Sequence, residues 1–352
     1  MDNKKYNSDE IYMLRCIELA KQAEGLTYPN PMVGSVVVYD GKIIGEGYHQ
    51  KYGTPHAEVN AINSVKDKSL LSKSTLYVNL EPCSHHGKTP PCSLLIIEKK
   101  IKRVVIGCVD TFSEVSGKGI EMLQNAGIKV QVGILEEESR ELNKRFFTYH
   151  EKKRPYIILK WAETADGFID YNREVVKDNR PTWISNAQSL RLVHKWRSRE
   201  QAILVGSTTA LKDNPSLTVR SWSGKSPLRI VIDRNNKLPN DLPLFDKSVE
   251  TVMFTSKISE ARDITQIKIN NFDNPIPEIV EYLYEREIQS IIIEGGSTIL
   301  TQFINQNLWD EARVFIGKDR FIDGLKAPKL MLETINFSKL GNTELLLYRN
   351  ML

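Results

Sequence analysis

The sequence predicts two successive α/β domains, and three observations carry that expectation. The chain has 352 residues, more than one hydrophobic core comfortably organises. Short apolar runs alternate with amphipathic stretches along nearly its whole length. A polar, charged segment, "YHEKKRP", closed by Pro155, interrupts the alternation and marks a linker, giving domains over 1–147 and 154–352.

The elements follow in order. Ser8 is a plausible N-cap with Asp9 and Glu10 in the first turn, and Ile11, Leu14 and Ile17 recur at helical spacing toward Gly25. "VGSVVVYDGKIIGEGY" is two β-rich runs around Asp40-Gly41, a strong hairpin signal. A helix begins near His56, "TLYVNL" is a strand, and "SLLIIEKK" is a helix closing with lysines. "RVVIGCV" is a buried strand, followed by a helix at "GKGIEMLQNAG" and a strand at "IKVQVGI". One hairpin followed by alternating helix and strand predicts a sheet covered on both faces, a three-layer α/β/α domain.

"YIILKWA" starts the second alternation. The strand-like runs "QAILVG", "LRIVID", "ETVMFT" and "IQSIIIEGG" are separated by helical patterns such as "NAQSLRLVHKWRSR" and "PIPEIVEYLYERE". No internal repeat relates the halves.

Composition narrows the class. A hydrophobic share of 41% with 26% charged residues is the balance of a soluble globular protein. A net charge of +4 on this length permits nucleic-acid binding without indicating it. With neither a signal-peptide core nor a membrane-spanning run, the expected location is cytoplasmic. In that reducing compartment the four cysteines are poor disulfide candidates, so metal binding gains weight for a close pair. Cys16 and Cys108 lie inside apolar patterns and read as buried packing residues.

Cys83 and Cys92 stand in "EPCSHHGKTPPC", separated by eight residues, too far for a zinc knuckle. A catalytic zinc needs three protein ligands and an open position for water, and His56, Cys83 and Cys92 fit that count. Glu58, two residues after His56, would then shuttle protons between the water and a leaving amine. Alone, His56 would be an ordinary polar residue and the cysteines packing residues. Together, "HAE" and "EPC" match the zinc nucleobase-deaminase pattern, except that the second cysteine arrives late. His85 and Lys88 would reach the substrate from the intervening loop, whereas His86 could equally be solvated. Asn30, just before the first strand, would read a base edge, and His49 joins the same group.

"NPMVG", "GYHQKYGTPHAEV" and "EPCSHHGKTPPC" together resemble the deaminase domain of the RibD family, bifunctional riboflavin-biosynthesis deaminase/reductases. The late cysteine is that family's variant of the motif. The resemblance implies a cytidine-deaminase-like fold and a further substrate position at Asp110.

The second domain has no G-x-G-x-x-G. "SIIIEGGSTIL" runs a buried strand into Gly295-Gly296 and a helix start, where backbone N–H groups could meet phosphate, although a tight turn needs no ligand. With "RPYIILKWAETADGFI" and "ILVGSTTALKDNPSLTVR", it resembles the same family's reductase domain, which is dihydrofolate-reductase-like and uses NADPH. The resemblance places cofactor contacts at Ala162, Trp183, Thr209, Asp213, Gly296, Ser297 and Thr298. It places substrate contacts at Lys160, Arg197, Leu217, Arg220 and Glu294, the arginines suiting a phosphate clamp.

Three departures stand out. After the fourth strand, "DTFSEVSGKG" keeps only Asp110 and "GKG" of the family's segment. Pro181 replaces a serine two residues before Trp183, and "DYNREVVKDNRPTWIS" is longer than usual.

The resulting expectation is a two-step enzyme with Zn2+ and NADPH as cofactors. It deaminates a pyrimidine ribosyl phosphate and then reduces the ribosyl group to ribityl. It would work as a homo-oligomer, a dimer or tetramer, without nucleic-acid or membrane partners. The rival is a tRNA deaminase with an accessory binding domain, which would require a strongly basic or aromatic face. A zinc that merely staples a scaffold would require a fourth protein ligand.

Overall fold

Alternate residues of the N-terminal strands feed two different cores, and that division builds a layered domain. The computed structural model describes residues 6–84, 90–111, 116–173 and 182–351. The chain divides into two compact units, Met1–Lys153 and Arg154–Leu352.

The first unit opens with helix α1 (Ser8–Lys21), strands β1 (Gly34–Tyr39) and β2 (Lys42–Tyr48), helix α2 (Ala57–Ser64) and a 3-10 helix at Lys68–Lys73. Strand β3 (Thr75–Leu80), helix α3 (Cys92–Glu98), strand β4 (Arg103–Cys108) and helix α4 (Lys118–Asn125) follow. Strand β5 (Lys129–Val132) and helices α5 (Glu136–Leu142) and α6 (Lys144–Lys152) complete it. The sheet order is β2-β1-β3-β4-β5, antiparallel through β3 and parallel from β3 to β5. Val37, Leu76, Val78, Val104 and Ile106 pack against Ile62 of α2, Ile96 of α3 and Leu123 of α4. Val36, Val38, Tyr77 and Val105 point the other way, against Met13, Cys16 and Ile17 of α1. This is the three-layer arrangement the alternation predicts. Asp40 and Gly41 both take positive φ, 48° and 69°, as a type I′ hairpin turn requires. Cys16 and Cys108 are fully buried, as their apolar surroundings predict, and burial pushes the Cys108 thiol up to about 12.

Local boundaries differ from expectation in three places. Asn7, not Ser8, caps α1, through a reciprocal pair in which Glu10 N donates to the Asn7 side chain and Asn7 N to Glu10. That helix ends at Lys21 rather than near Gly25. The expected linker is helical through Lys152, because α6 buries Phe146 and Phe147, an apolar pair too short to show periodicity in the sequence.

The second unit carries β6 (Tyr156–Glu163), β7 (Phe168–Tyr171), α7 (Ala187–Arg197), β8 (Ala202–Gly206), α8 (Ser207–Asp213) and β9 (Leu228–Ile232). After a 3-10 turn at Pro243–Phe245 come β10 (Thr251–Thr255), β11 (Thr265–Lys268), α9 (Ile276–Glu285), β12 (Ser290–Glu294) and α10 (Ser297–Asn305). Strands β13 (Glu311–Ile316), β14 (Gly324–Lys326), β15 (Asn336–Leu340) and β16 (Thr343–Arg349) close it. The main sheet runs β11-β10-β9-β8-β12-β6-β13-β16-β15, and β14 pairs with β7 separately. Strands β11 through β13 are parallel, and β16 and β15 add an antiparallel edge. Ile279 and Leu283 of α9 and Leu300 and Phe303 of α10 cover one face, while Val193 and Trp196 of α7 and Ala210 of α8 cover the other. Because β12 lies between β8 and β6, the strand order reverses there, and in open α/β sheets ligands bind outside the carboxyl ends of the strands at such a point.

Candidate active sites

In the first unit, α2 begins directly after His56, whose extended backbone (φ −70°, ψ 164°) makes it the N-cap residue. That start sets the His56 ring beside Cys83, after β3, and Cys92, the first residue of α3. His56 Nδ1 lies 3.5 Å from Cys83 Sγ and 3.4 Å from Cys92 Sγ. One ligand atom from each of the three residues fits within 4.8 Å. Backbone N–H of Cys92 donates to Cys83 Sγ at 3.3 Å, so the helix start stabilises sulfur-centred negative charge. The Cys92 thiol hydrogen bond, then His56, bring the Cys83 thiol down to about 4 against the opposing effect of burial. The hydrogen bond with Cys83 raises the His56 ring to about 9, while the bond to Cys83 and burial push the Cys92 thiol upward.

Two sulfurs and one imidazole nitrogen, with no fourth His, Cys, Asp or Glu in the cluster among the described residues, suit a zinc ion that keeps an open position. Among the described residues, the scaffold alternative finds no fourth protein ligand in this cluster; His85 and His86 lie outside them. Glu58, in the first turn of α2, is buried, and burial together with the Cys83 thiolate raises its carboxyl to about 7. A carboxyl poised there can both take and return a proton.

The segment before β1 is tied in. Asn30 Nδ2 lies 3.1 Å from His49 Nε2, and the His49 ring stands edge-on to His56 at 5.5 Å. Burial lowers the His49 pKa, which favours the neutral ring, and its Nδ1 lies 3.2 Å from the Pro55 carbonyl. Asp110 is buried just past β4. His85 and Lys88 lie outside the described residues, as does Pro181.

Sequence reasoning missed the residues that hold this frame. Asn79 accepts from Gly34 N at 2.7 Å and donates to the Met32 carbonyl at 3.1 Å. Asn143 holds Met32 from the other side, accepting from its N–H at 2.8 Å and donating to its carbonyl at 2.9 Å. Glu81, quoted in the motif but given no role, accepts four backbone N–H bonds. A carboxylate at a strand end with "GKG" further along was the available signal for it.

In the second unit, Lys160 of β6, Arg197 of α7 and Glu294 of β12 form one ion cluster. Arg197 grips Glu294 through Nε (3.1 Å) and Nη2 (2.7 Å), and Lys160 Nζ stands 3.7 Å away. Burial alone would raise the Glu294 carboxyl, but the Arg197 and Lys160 cations outweigh it and bring it down to about 2. Burial lowers the Lys160 pKa. The Arg197 fork, expected at a substrate phosphate, is therefore directed at a carboxylate.

Leu217, buried with φ 56°, and Arg220 lie on the loop after α8. That loop is pinned by His194, another residue missed in the sequence, whose Nδ1 accepts from Arg220 N at 3.2 Å. Arg197 Nη1 adds a bond to the Thr218 carbonyl at 3.5 Å, and Arg220 Nη1 donates to Ser216 Oγ.

Helices α8 and α10 start at the ends of the adjacent strands β8 and β12, and neither is closed by a side-chain cap. Thr209 Oγ1 accepts from Gly296 N at 3.0 Å, bridging the two starts, and Ser297 and Thr298 open α10. Paired helix starts of this kind suit the phosphates of a dinucleotide. Ala162 lies two residues beyond Lys160 in β6. Asp213 pairs with Arg173 at 3.5 Å, whereas Trp183 is exposed.

Two family models match the chain: the cytidine and deoxycytidylate deaminase zinc-binding region over 6–108, and the RibD C-terminal domain over 155–342. The riboflavin biosynthesis protein RibD of Aquifex aeolicus is 41% identical over 341 residues, covering 95% of this chain and 90% of that protein. The RibD protein of Escherichia coli is 36% identical, covering 92% and 88%. A solved structure from Thermotoga maritima, a diaminohydroxyphosphoribosylaminopyrimidine deaminase/5-amino-6-(5-phosphoribosylamino)uracil reductase, is 40% identical. It superimposes with a TM-score of 0.86 and covers 97% of this chain and 98% of that one. RibD from Acinetobacter baumannii gives 30% identity and a TM-score of 0.87, with the same coverage.

Proposed function

This chain belongs to the RibD family of riboflavin-biosynthesis proteins, and from that premise we propose how its residues divide two reactions. The protein is a bifunctional deaminase/reductase of riboflavin biosynthesis. Its deaminase substrate is the diaminopyrimidine ribosyl phosphate, and its reductase substrate is the resulting 5-amino-6-(5-phosphoribosylamino)uracil. The reading rests above all on the His56–Cys83–Cys92 cluster with Glu58 in one unit and the Lys160–Glu294–Arg197 cluster in the other.

His56, Cys83 and Cys92 would hold the zinc, and the starts of α8 and α10, with Ala162, Trp183, Thr209, Asp213, Gly296, Ser297 and Thr298, the NADPH. When bound, zinc supplies the Lewis acidity that makes a water nucleophilic near neutral pH, and NADPH supplies hydride. Glu58 accepts the proton of the attacking water and returns it to the amine, so that a C–O bond forms, the C–N bond breaks and ammonia leaves. Asn30 and His49 orient the pyrimidine, with Asp110, His85 and Lys88 completing its pocket.

In the second unit, Lys160 and Glu294 face the ribosyl group beside the reacting carbon, Arg197 orients Glu294, and Leu217 and Arg220 seat the remainder of the substrate. The protein works as a homo-oligomer, a dimer or tetramer, in the cytoplasm, without a nucleic-acid partner. Among the described residues, no helix is long and apolar enough to cross a membrane. The tRNA-deaminase alternative is not favoured, because its accessory domain would occupy the region that matches a reductase.

A coupled assay tests the assignment. Purified protein with zinc and each nicotinamide cofactor should release ammonia and then oxidise NADPH in preference to NADH. Ammonia release without any cofactor oxidation, even with the deaminated intermediate supplied, would overturn the second half.

A further inference from the structure

Glu81 stands immediately after β3, two residues before Cys83, and is 4% exposed. Among the described residues, its carboxylate bonds to backbone N–H groups. Oε2 accepts from Asp110 N at 3.2 Å and Gly117 N at 3.0 Å. Oε1 accepts from Gly119 N at 2.9 Å and Ile120 N at 3.2 Å. Four donors match the acceptor capacity of a carboxylate, leaving it poorly placed to act as a base or metal ligand.

Those four donors come from the two ends of one segment. Asp110 begins it, and the other three lie at the start of α4, whose N-cap residue, Gly117, has no side chain with which to cap. The negative charge supplies the missing cap and favours the positive end of the helix. The fit is close: a Cβ on Gly119 would lie 2.1 Å from the Pro82 carbonyl. The backbone N–H of Glu81 also donates to the Cys108 carbonyl at 3.0 Å, at the end of β4. Next to Asp110, the Thr111 hydroxyl is buried with no partner among the described residues.

We propose that Glu81 is a positioning residue of the deaminase: it fixes Asp110 and Thr111 against the strand end that carries Cys83, and so sets the substrate pocket relative to the metal ligands. The inference rests on the reading of Asp110 as a substrate contact.

Glu81→Gln is nearly isosteric but turns one oxygen into an amide that faces N–H donors. KM for the diaminopyrimidine substrate should rise about tenfold or more, with a smaller change in kcat. Bound zinc should stay stoichiometric, and reduction of separately supplied intermediate should be unchanged. Glu81→Asp, which keeps the charge but withdraws it, should also hold zinc and raise KM. An unchanged KM, or a loss confined to kcat, would overturn the proposal. Failure of both variants to hold zinc would also overturn it, by assigning Glu81 to the fold or the ligands instead.

A double-mutant cycle adds a second criterion. Glu81→Gln should cost less in an Asp110→Asn background than in the parent, and full additivity would contradict the proposal. If Asp110→Asn alone left deamination intact, the reading of Asp110 would fail, while the KM of Glu81→Gln would still decide the role of Glu81.

Discussion

Arg197 holds both carboxylate oxygens of Glu294, at 3.1 and 2.7 Å, across the gap between α7 and β12. A fork this well aligned fixes the carboxylate plane, and Lys160 then sees a defined oxygen at 3.7 Å. Orientation of Glu294 is therefore delegated to a helix on one face of the sheet.

The first prediction concerns pH. Glu294 has a folded pKa near 2, below its ordinary value, so it contributes stability that is full above about pH 4.3 and lost as pH falls toward 2. Arg197→Ala leaves Lys160, with a smaller contribution from His194, to hold the carboxyl down, so the acid-unfolding midpoint should move to higher pH. At neutral pH the second unit should lose roughly 3 kcal/mol, the scale of a broken buried pair. All five tryptophans lie in that unit, so tryptophan fluorescence reports it selectively. An acid midpoint that does not move would refute the coupling.

The second prediction concerns the proton carrier. Glu58→Gln should reduce ammonia release by roughly 10²–10⁴-fold. Zinc content should be preserved, since Glu58 is outside the ligand trio, and NADPH-dependent reduction of the supplied intermediate should persist. Loss of both activities in a folded variant would contradict two separate sites.

Much of this was legible in the sequence because strands and helices carry their own periodicity. The alternation of Val36, Val37 and Val38 separates the two faces of the first sheet, and the Asp40-Gly41 turn announces its hairpin. The candidate metal cluster was legible for a different reason: few residue types can bind a metal, so His56, Cys83 and Cys92 stood out. Glu81, Asn79, Asn143 and His194 were not, because each acts on backbone groups far away in sequence, as Asn143 does on Met32. Only the fold reveals such partners. The Glu294 partner of Arg197 was hidden for the same reason, since it lies 97 positions away.

The third prediction concerns the metal. A chelator should abolish ammonia release, added zinc should restore it, and reduction of the supplied intermediate should continue throughout. Cys92→Ser should do the same without rescue at ordinary zinc concentrations, because the hydroxyl is a poor substitute for a thiolate at this site. Ammonia release that survives complete metal removal would exclude the proposed chemistry.

The last prediction tests the frame around Asn30. A Cβ on Gly34 would lie 2.0 Å from the Cys16 carbonyl and 3.0 Å from Ala20 N, both backbone atoms of α1, so neither can swing aside. Gly34→Ala must push α1 away from β1 or shift the strand start. The latter would disturb the Gly34 N bond to Asn79 at 2.7 Å and, through Met32, the segment that carries Asn30. The first unit should lose about 1–3 kcal/mol, as overpacked sites do, and KM for the diaminopyrimidine should rise as Asn30 loses its register with His49. Thermal inactivation of ammonia release should shift to lower temperature, while the tryptophan-monitored transition of the second unit should remain in place. If that transition fell in parallel, the effect would lie in a shared unfolding event rather than in the contact between α1 and β1.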